Sequence, residues 1–173
     1  VAKFMGDGVL VYFGWPRGHE DDAERAVRAG FAIVDAVATL ATPANEPLRV
    51  RVGIATGIVV VGDLVGEGSE QKQAVVGETP NLAARLQALA EAGAIVVAES
   101  TQKLLGGLFE LADLGAQDLK GFAAPIHAWR VVRERQTEGR FEALHGHQLT
   151  PLIGREHEVG LLLERFERAR AGE

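Results

Sequence analysis

Two β-prone apolar runs, Lys3-Phe4-Met5 and Val9-Leu10-Val11-Tyr12-Phe13, meet at Gly6-Asp7-Gly8, the kind of corner that a tight hairpin requires. Glycine on both sides leaves Asp7 open to the approach of other groups. A carboxylate held there beside backbone carbonyls suits a hard divalent cation, which prefers oxygen ligands. Asp-Gly is also ordinary turn chemistry, so the corner alone leaves both readings open.

A second element lies far along the chain, in Gly77-Glu78-Thr79-Pro80-Asn81-Leu82-Ala83-Ala84-Arg85. Thr79 reads as an N-cap and Pro80 as the first helical residue. Asn81 and Arg85 then stand four apart on one face, while Leu82, Leu86 and Leu89 form another. An arginine on such a face is by itself most simply a solvated charge.

Between and beyond these elements, strand and helix periods alternate. Glu20, Asp21 and Asp22 open a helix whose Ala23, Ala26, Val27, Phe31, Val34, Val37 and Ala38 recur at helical spacing, and acidic residues in a first turn complement the helix dipole without any metal. Leu48, Val50, Val52 and Ile54 alternate with Arg49, Arg51 and Gly53, the period of a half-buried strand. Gly57 and Ile58 to Val61 extend it. Residues 62–70 read as a Gly-rich loop that no Gly-Lys-Ser/Thr ending turns into a phosphate cradle, and Gln73 to Val76 return. Ile95 to Ala98 reads as a buried strand, with Ser100 or Thr101 capping a short helix through Leu105. Leu108 to Leu114 alternates, Asp118-Leu119-Lys120-Gly121 forms a corner, and Ile126, Ala128 and Val131 with Trp129 close the sheet. This order implies an α/β (α+β) sandwich with helices against a mainly antiparallel sheet.

Composition narrows the function classes. At 47% hydrophobic, 173 residues can bury one sizeable core. A formal net charge of -6 argues against a general nucleic-acid binder, the absence of cysteine removes disulfide and thiolate chemistry, and no apolar run nears the roughly 20 residues that span a bilayer. His145 and His147 lack a third ligand at a recognised spacing and read as incidental. Val1 falls inside a strand pattern with no initiator Met or leader, so the chain is expected to be a piece of a larger cytoplasmic protein.

Lys3-Phe4-Met5-Gly6-Asp7-Gly8 together with Asn81-Leu82-Ala83-Ala84-Arg85 resembles the catalytic domain of class III adenylate/guanylate cyclases, in the bacterial form fused to an AAA-like signalling ATPase. The resemblance runs over 1–132 and implies the ferredoxin-like cyclase fold without its first strand and helices. Residues 133–150 read as a linker, where periodicity fades. Thr150-Pro151-Leu152-Ile153-Gly154-Arg155-Glu156, followed by Leu161, Leu162 and Phe166 on an amphipathic helix, resembles the entry of the ATPase module over 151–173.

The resemblance implies conversion of ATP to 3′,5′-cyclic AMP and pyrophosphate at a homodimer interface with two Mg²⁺ or Mn²⁺ ions. Asp7 is implied as a metal ligand, Arg85 as the transition-state cation, Asn81 as the residue that orients the ribose, and Lys120 as a contact to the terminal phosphates. Lys3 would read the purine. Its usual polar partner is replaced by Ala74, so adenine would be recognised with poorer discrimination against guanine. The family's second metal aspartate would lie on the preceding strand, so residues 1–173 by themselves are expected to be inactive. A cyclase-like module that only dimerises or senses nucleotide, and so regulates a fused ATPase, is the alternative that Ala74 favours.

Overall fold

The computed structural model describes residues 2–40, 47–64, 72–136 and 153–172. Its centre is β6 (Ile95–Ala98), whose four residues are all buried. A strand packed on one face alternates in and out, whereas one packed on both faces stays apolar throughout. The sides divide accordingly. Ile95 and Val97 join Val27, Leu105, Leu108, Phe109 and Val131 in one cluster, and Val96 and Ala98 join Leu86, Ala90 and Ala128 in another. Helices α1 (Asp22–Ala38) and α3 (Glu99–Leu105) serve the first layer and α2 (Glu78–Leu89) the second.

The four-stranded sheet runs β3-β6-β8-β7. β3 (Val52–Ile54) is parallel to β6, while β8 (Ile126–Glu134) is antiparallel to both β6 and β7 (Phe109–Gln117). Two further antiparallel ladders are separate from it: the hairpin β1 (Ala2–Met5) with β2 (Gly8–Val11), and an arm of β4 (Val60–Leu64) with β5 (Lys72–Val76). The expected α+β architecture with mainly antiparallel pairing is therefore present.

Local expectations fared unevenly. The strand predicted from Leu48 is confined to Val52–Ile54, because its partner β6 begins only at Ile95, opposite Val52; ahead of it Val50 keeps a single tie, its carbonyl accepting from Gly93 N at 2.8 Å. The strand placed at Ile58 to Val61 starts at Val60 and reaches Leu64, while 65–71 lie outside the described residues. α2 begins at Glu78, with Gly77 in the N-cap position in place of Thr79 and with Pro80 inside the first turn. The Thr79 hydroxyl instead donates to the Ile58 carbonyl at 3.2 Å. Likewise α3 begins at Glu99: Ser100 Oγ donates to the Thr56 carbonyl at 2.6 Å, and the Thr101 and Thr56 hydroxyls share a bond at 2.9 Å. In each case a hydroxyl suited to capping its own helix ties that helix to the loop after β3.

Arg28 of α1 grips the end of β8, its Nε donating to Glu134 at 2.9 Å while the guanidinium sits 5.8 Å from the Phe109 ring centre. β8 thus continues through Glu134, and 137–152 lie outside the described residues. α4 (Glu156–Arg170) follows as an amphipathic helix with no buried residue. No helix among the described residues is long and apolar enough to cross a membrane.

Candidate active site

Helix α2 lies unusually close to the sheet. A Cβ added at Gly53 of β3 would stand 2.2 Å from both the Ala83 carbonyl oxygen and the Gln87 amide nitrogen, so only glycine lets the helix backbone rest there. Leu86 is fully buried beneath it, with Leu82 and Leu89 beside it, each full burial of such a side chain being worth roughly 1.5–3 kcal/mol. With that face turned inward, Asn81 and Arg85 are exposed on the other side.

The β7–β8 connection meets α2 at this outer face. Leu119 packs against the cluster that holds Leu86, and the corner is closed by Phe122 N donating to the Leu119 carbonyl at 3.1 Å. Arg85 Nε donates to the Lys120 carbonyl at 3.1 Å across 35 residues of sequence. The structure thus brings the Arg85 guanidinium to the Lys120 backbone, with Asn81 one helical turn away and all three residues exposed.

The remaining predicted residues lie on other elements. Asp7 is exposed in the two-residue turn between Met5 and Gly8, where Gly6 has a φ of 64°. Lys3 lies on β1 opposite Leu10, and Ala74 on β5 opposite Gly62. Among the described residues no hydrogen bond or ion pair joins Asp7 to Asn81 or Arg85, and no group of three His, Asp or Glu side chains is poised to hold a metal. A shallow depression of about 460 Å³ lined by Val96, Ala112, Asp113 and Arg130 contains none of the predicted residues.

Sequence reasoning named Arg85 and Lys120 but missed the contact between them, since a backbone carbonyl leaves no signature in side-chain chemistry. It also passed over the base of the same β7–β8 hairpin. There β7 is irregular between Asp113 and Gly115, and Asp113 accepts from Gly115 N at 2.7 Å and pairs with His127, which stacks on Trp129 at 4.2 Å. The backbone bond from Gly115, then the bond with His127, hold the Asp113 carboxyl below its ordinary range.

Comparison with known proteins bears on the same stretch. The profile of the adenylate and guanylate cyclase catalytic domain matches residues 2–133. An uncharacterized protein of Rhizobium meliloti (strain 1021) is 36% identical over 172 residues, which is 97% of this chain and 16% of that protein. The chain spans 16% to 26% of the length of the first curated relatives it matches. The crystal structure of the adenylyl cyclase CyaB from P. aeruginosa superposes with a TM-score of 0.70 at 32% identity, covering 80% of this chain and 74% of that one. The guanylate cyclase domain of RhGC from Catenaria anguillulae, in complex with GTP, gives 0.68 at 28% identity, covering 77% and 71%.

Proposed function

The chain belongs to the adenylate and guanylate cyclase catalytic domain family, and from that premise we propose that its protein converts ATP to 3′,5′-cyclic AMP and pyrophosphate. The observation that carries this reading is the exposed face of α2 on which Arg85, bonded to the Lys120 carbonyl, stands one helical turn from Asn81. Cyclisation forms a bond from the ribose O3′ to the α-phosphorus, the O3′ proton passing to solvent water, and breaks the bond from that phosphorus to the β-phosphate bridge, so that pyrophosphate leaves. Such a reaction asks the protein for positioning and for charge neutralisation.

Arg85 donates to the α-phosphate oxygens as charge builds there, and its planar guanidinium suits that geometry. Lys120 neutralises the departing pyrophosphate. Asn81 orients the ribose so that O3′ faces phosphorus. Lys3 reads the purine from β1, while Ala74 contributes no polar side chain, which supports weak discrimination between ATP and GTP.

Asp7 has the donor chemistry for Mg²⁺ or Mn²⁺: an exposed carboxylate on a turn with a glycine on either side. When bound there, such ions lower the pKa of the ribose hydroxyl and offset phosphate charge. Asp7 is one ligand only, so a two-metal site needs a further carboxylate. Among the described residues no bond joins Asp7 to Asn81 or Arg85, and we assign the site to two copies, with Asp7 from one protomer and Asn81 and Arg85 from its partner. We also assign 1–132 to the cyclase domain, 133–150 to a linker and 151–173 to an AAA-like ATPase module, in a cytoplasmic protein.

Ala74 favours a second reading, a cyclase-like module that binds nucleotide or dimerises without turnover. The full-length protein assayed with ATP and with GTP, each with Mg²⁺ and Mn²⁺, decides between them. Cyclic nucleotide and pyrophosphate in equal amounts are expected; nucleotide binding without product would establish the second reading.

A further inference from the structure

We propose that the Leu119–Gly121 corner is a positioning element for Arg85, acting through the Lys120 backbone carbonyl and independently of the Lys120 side chain; this rests on the cyclase reading above. Arg85 is exposed, and a free arginine side chain there would sample many rotamers. Its Nε–H is instead fixed to the Lys120 carbonyl at 3.1 Å. A guanidinium has five N–H donors in one plane, so a bond at Nε sets the direction of that plane and leaves the four donors on the terminal nitrogens for phosphate oxygens.

The nature of the partner matters. Among the described residues no carboxylate forms an ion pair with Arg85. A carboxylate would orient the group but also offset the charge that the transition state needs, whereas a neutral carbonyl orients it at full charge.

The corner is itself anchored. Leu119 packs in the cluster with Leu82, Leu86 and Leu89 of α2, so helix and corner share one core, and Phe122 N closes the turn on the Leu119 carbonyl. Gly121 holds φ at 96°, and a Cβ added there meets nothing within 4 Å. A larger residue at Gly121 therefore perturbs the backbone conformation that presents the carbonyl, without filling occupied space.

The test is a double-mutant cycle in the full-length protein, with kcat and KM for ATP in the presence of Mn²⁺. Gly121→Val is expected to lower kcat about tenfold with KM changed less than about twofold, since small misplacements of a catalytic group cost turnover steeply. Gly121→Asn, which tolerates positive φ, should retain most of kcat. In the Arg85→Ala background Gly121→Val should cost less than about twofold, because a positioning effect vanishes with the group it positions. Lys120→Ala should raise KM instead. Equal losses in both backgrounds, or equal losses from Val and Asn, would overturn the proposal while leaving the cyclase reading intact. Should the Val variant not fold, Gly121→Ala carries the same cycle. If the parent binds a non-cyclisable ATP analogue without turnover, the cyclase reading fails and the cycle is run on analogue affinity with the same criterion; a parent that neither turns over nor binds the analogue overturns both.

Discussion

Hairpin β1–β2 and helix α2 carry the two halves of the proposed site, and they are held in opposite ways. α2 rests on Gly53 at backbone contact, buries Leu86, and is tied at its start by Thr79 to the Ile58 carbonyl and on its outer face by Arg85 to the Lys120 carbonyl. The hairpin is held by its own cross-strand ladder, with Phe4 79% exposed and its partner Val9 57% exposed. A two-stranded ribbon with an uncovered apolar face is marginally stable alone. The arginine half is therefore preorganised within one chain, whereas the aspartate half draws little of its order from the rest of the described residues.

The sharpest way to break this contrast is to remove each half separately. Asp7→Asn is expected to abolish metal-dependent cyclic nucleotide formation with no change in the urea midpoint, because asparagine serves the same turn; near-normal activity would reduce Asp7 to a turn residue. Arg85→Ala is expected to cost roughly 3 kcal/mol of transition-state stabilisation, like loss of an oxyanion donor, with a smaller effect on ATP binding. Mixing the two full-length variants should restore part of the activity through one complete site per heterodimer. No recovery once mixed dimers are demonstrated would count against a site shared between copies.

The next test addresses what supports the helix. Gly53→Ala places a Cβ against backbone atoms of Ala83 and Gln87 that have no rotamer to yield, so α2 must shift. A stability loss of about 1–3 kcal/mol is expected, as for other overpacked sites, read from the urea midpoint, together with reduced turnover. The same change at the hairpin turn, Gly6→Ala, meets nothing within 4 Å and strains only a positive φ. If the two substitutions cost the same, the supposed difference in support between the regions is wrong.

The contrast also explains what could be read from the sequence. Hairpin register, the apolar run of β6 and the two faces of α2 follow from periods of 2 and 3.6 and from turn residues, all local properties. Gly53 looked like one polar-side position in an alternating strand, because alternation does not say that a helix backbone rests on that spot. Thr79, Ser100 and Thr101 read as caps because a hydroxyl before a helix usually turns inward to it. Their bonds to Ile58 and Thr56 depend on a loop brought alongside by the fold. Asp7, Asn81 and Arg85 stood out because motif chemistry is carried by side chains, and the Lys120 carbonyl did not because every residue has one.

The smallest expected effect concerns acid. In the β7–β8 hairpin that carries the Lys120 corner, the Asp113 carboxyl is lowered by the Gly115 backbone bond and then by His127, and Glu99 of α3 is lowered by its hydrogen bond and charge interaction with Lys103, with His127 adding to it. A carboxyl lowered in the folded state stabilises the fold above its unfolded pKa, near 4, and loses that contribution as pH falls through the lower folded value. Both groups are exposed, so solvent screening keeps the effect small. Asp113→Ala should lower the urea midpoint slightly at pH 7, and the difference from the parent should shrink as the pH falls below about 4 and the native carboxyl loses its charge as well. In hydrogen exchange at pH 7 the substitution should loosen amides around Gly115 and the Lys120 corner but not those of β1 and β2, since Asp113 and His127 bind each other across β7 and β8. Equal loosening of both hairpins would mean that the two regions share their support after all.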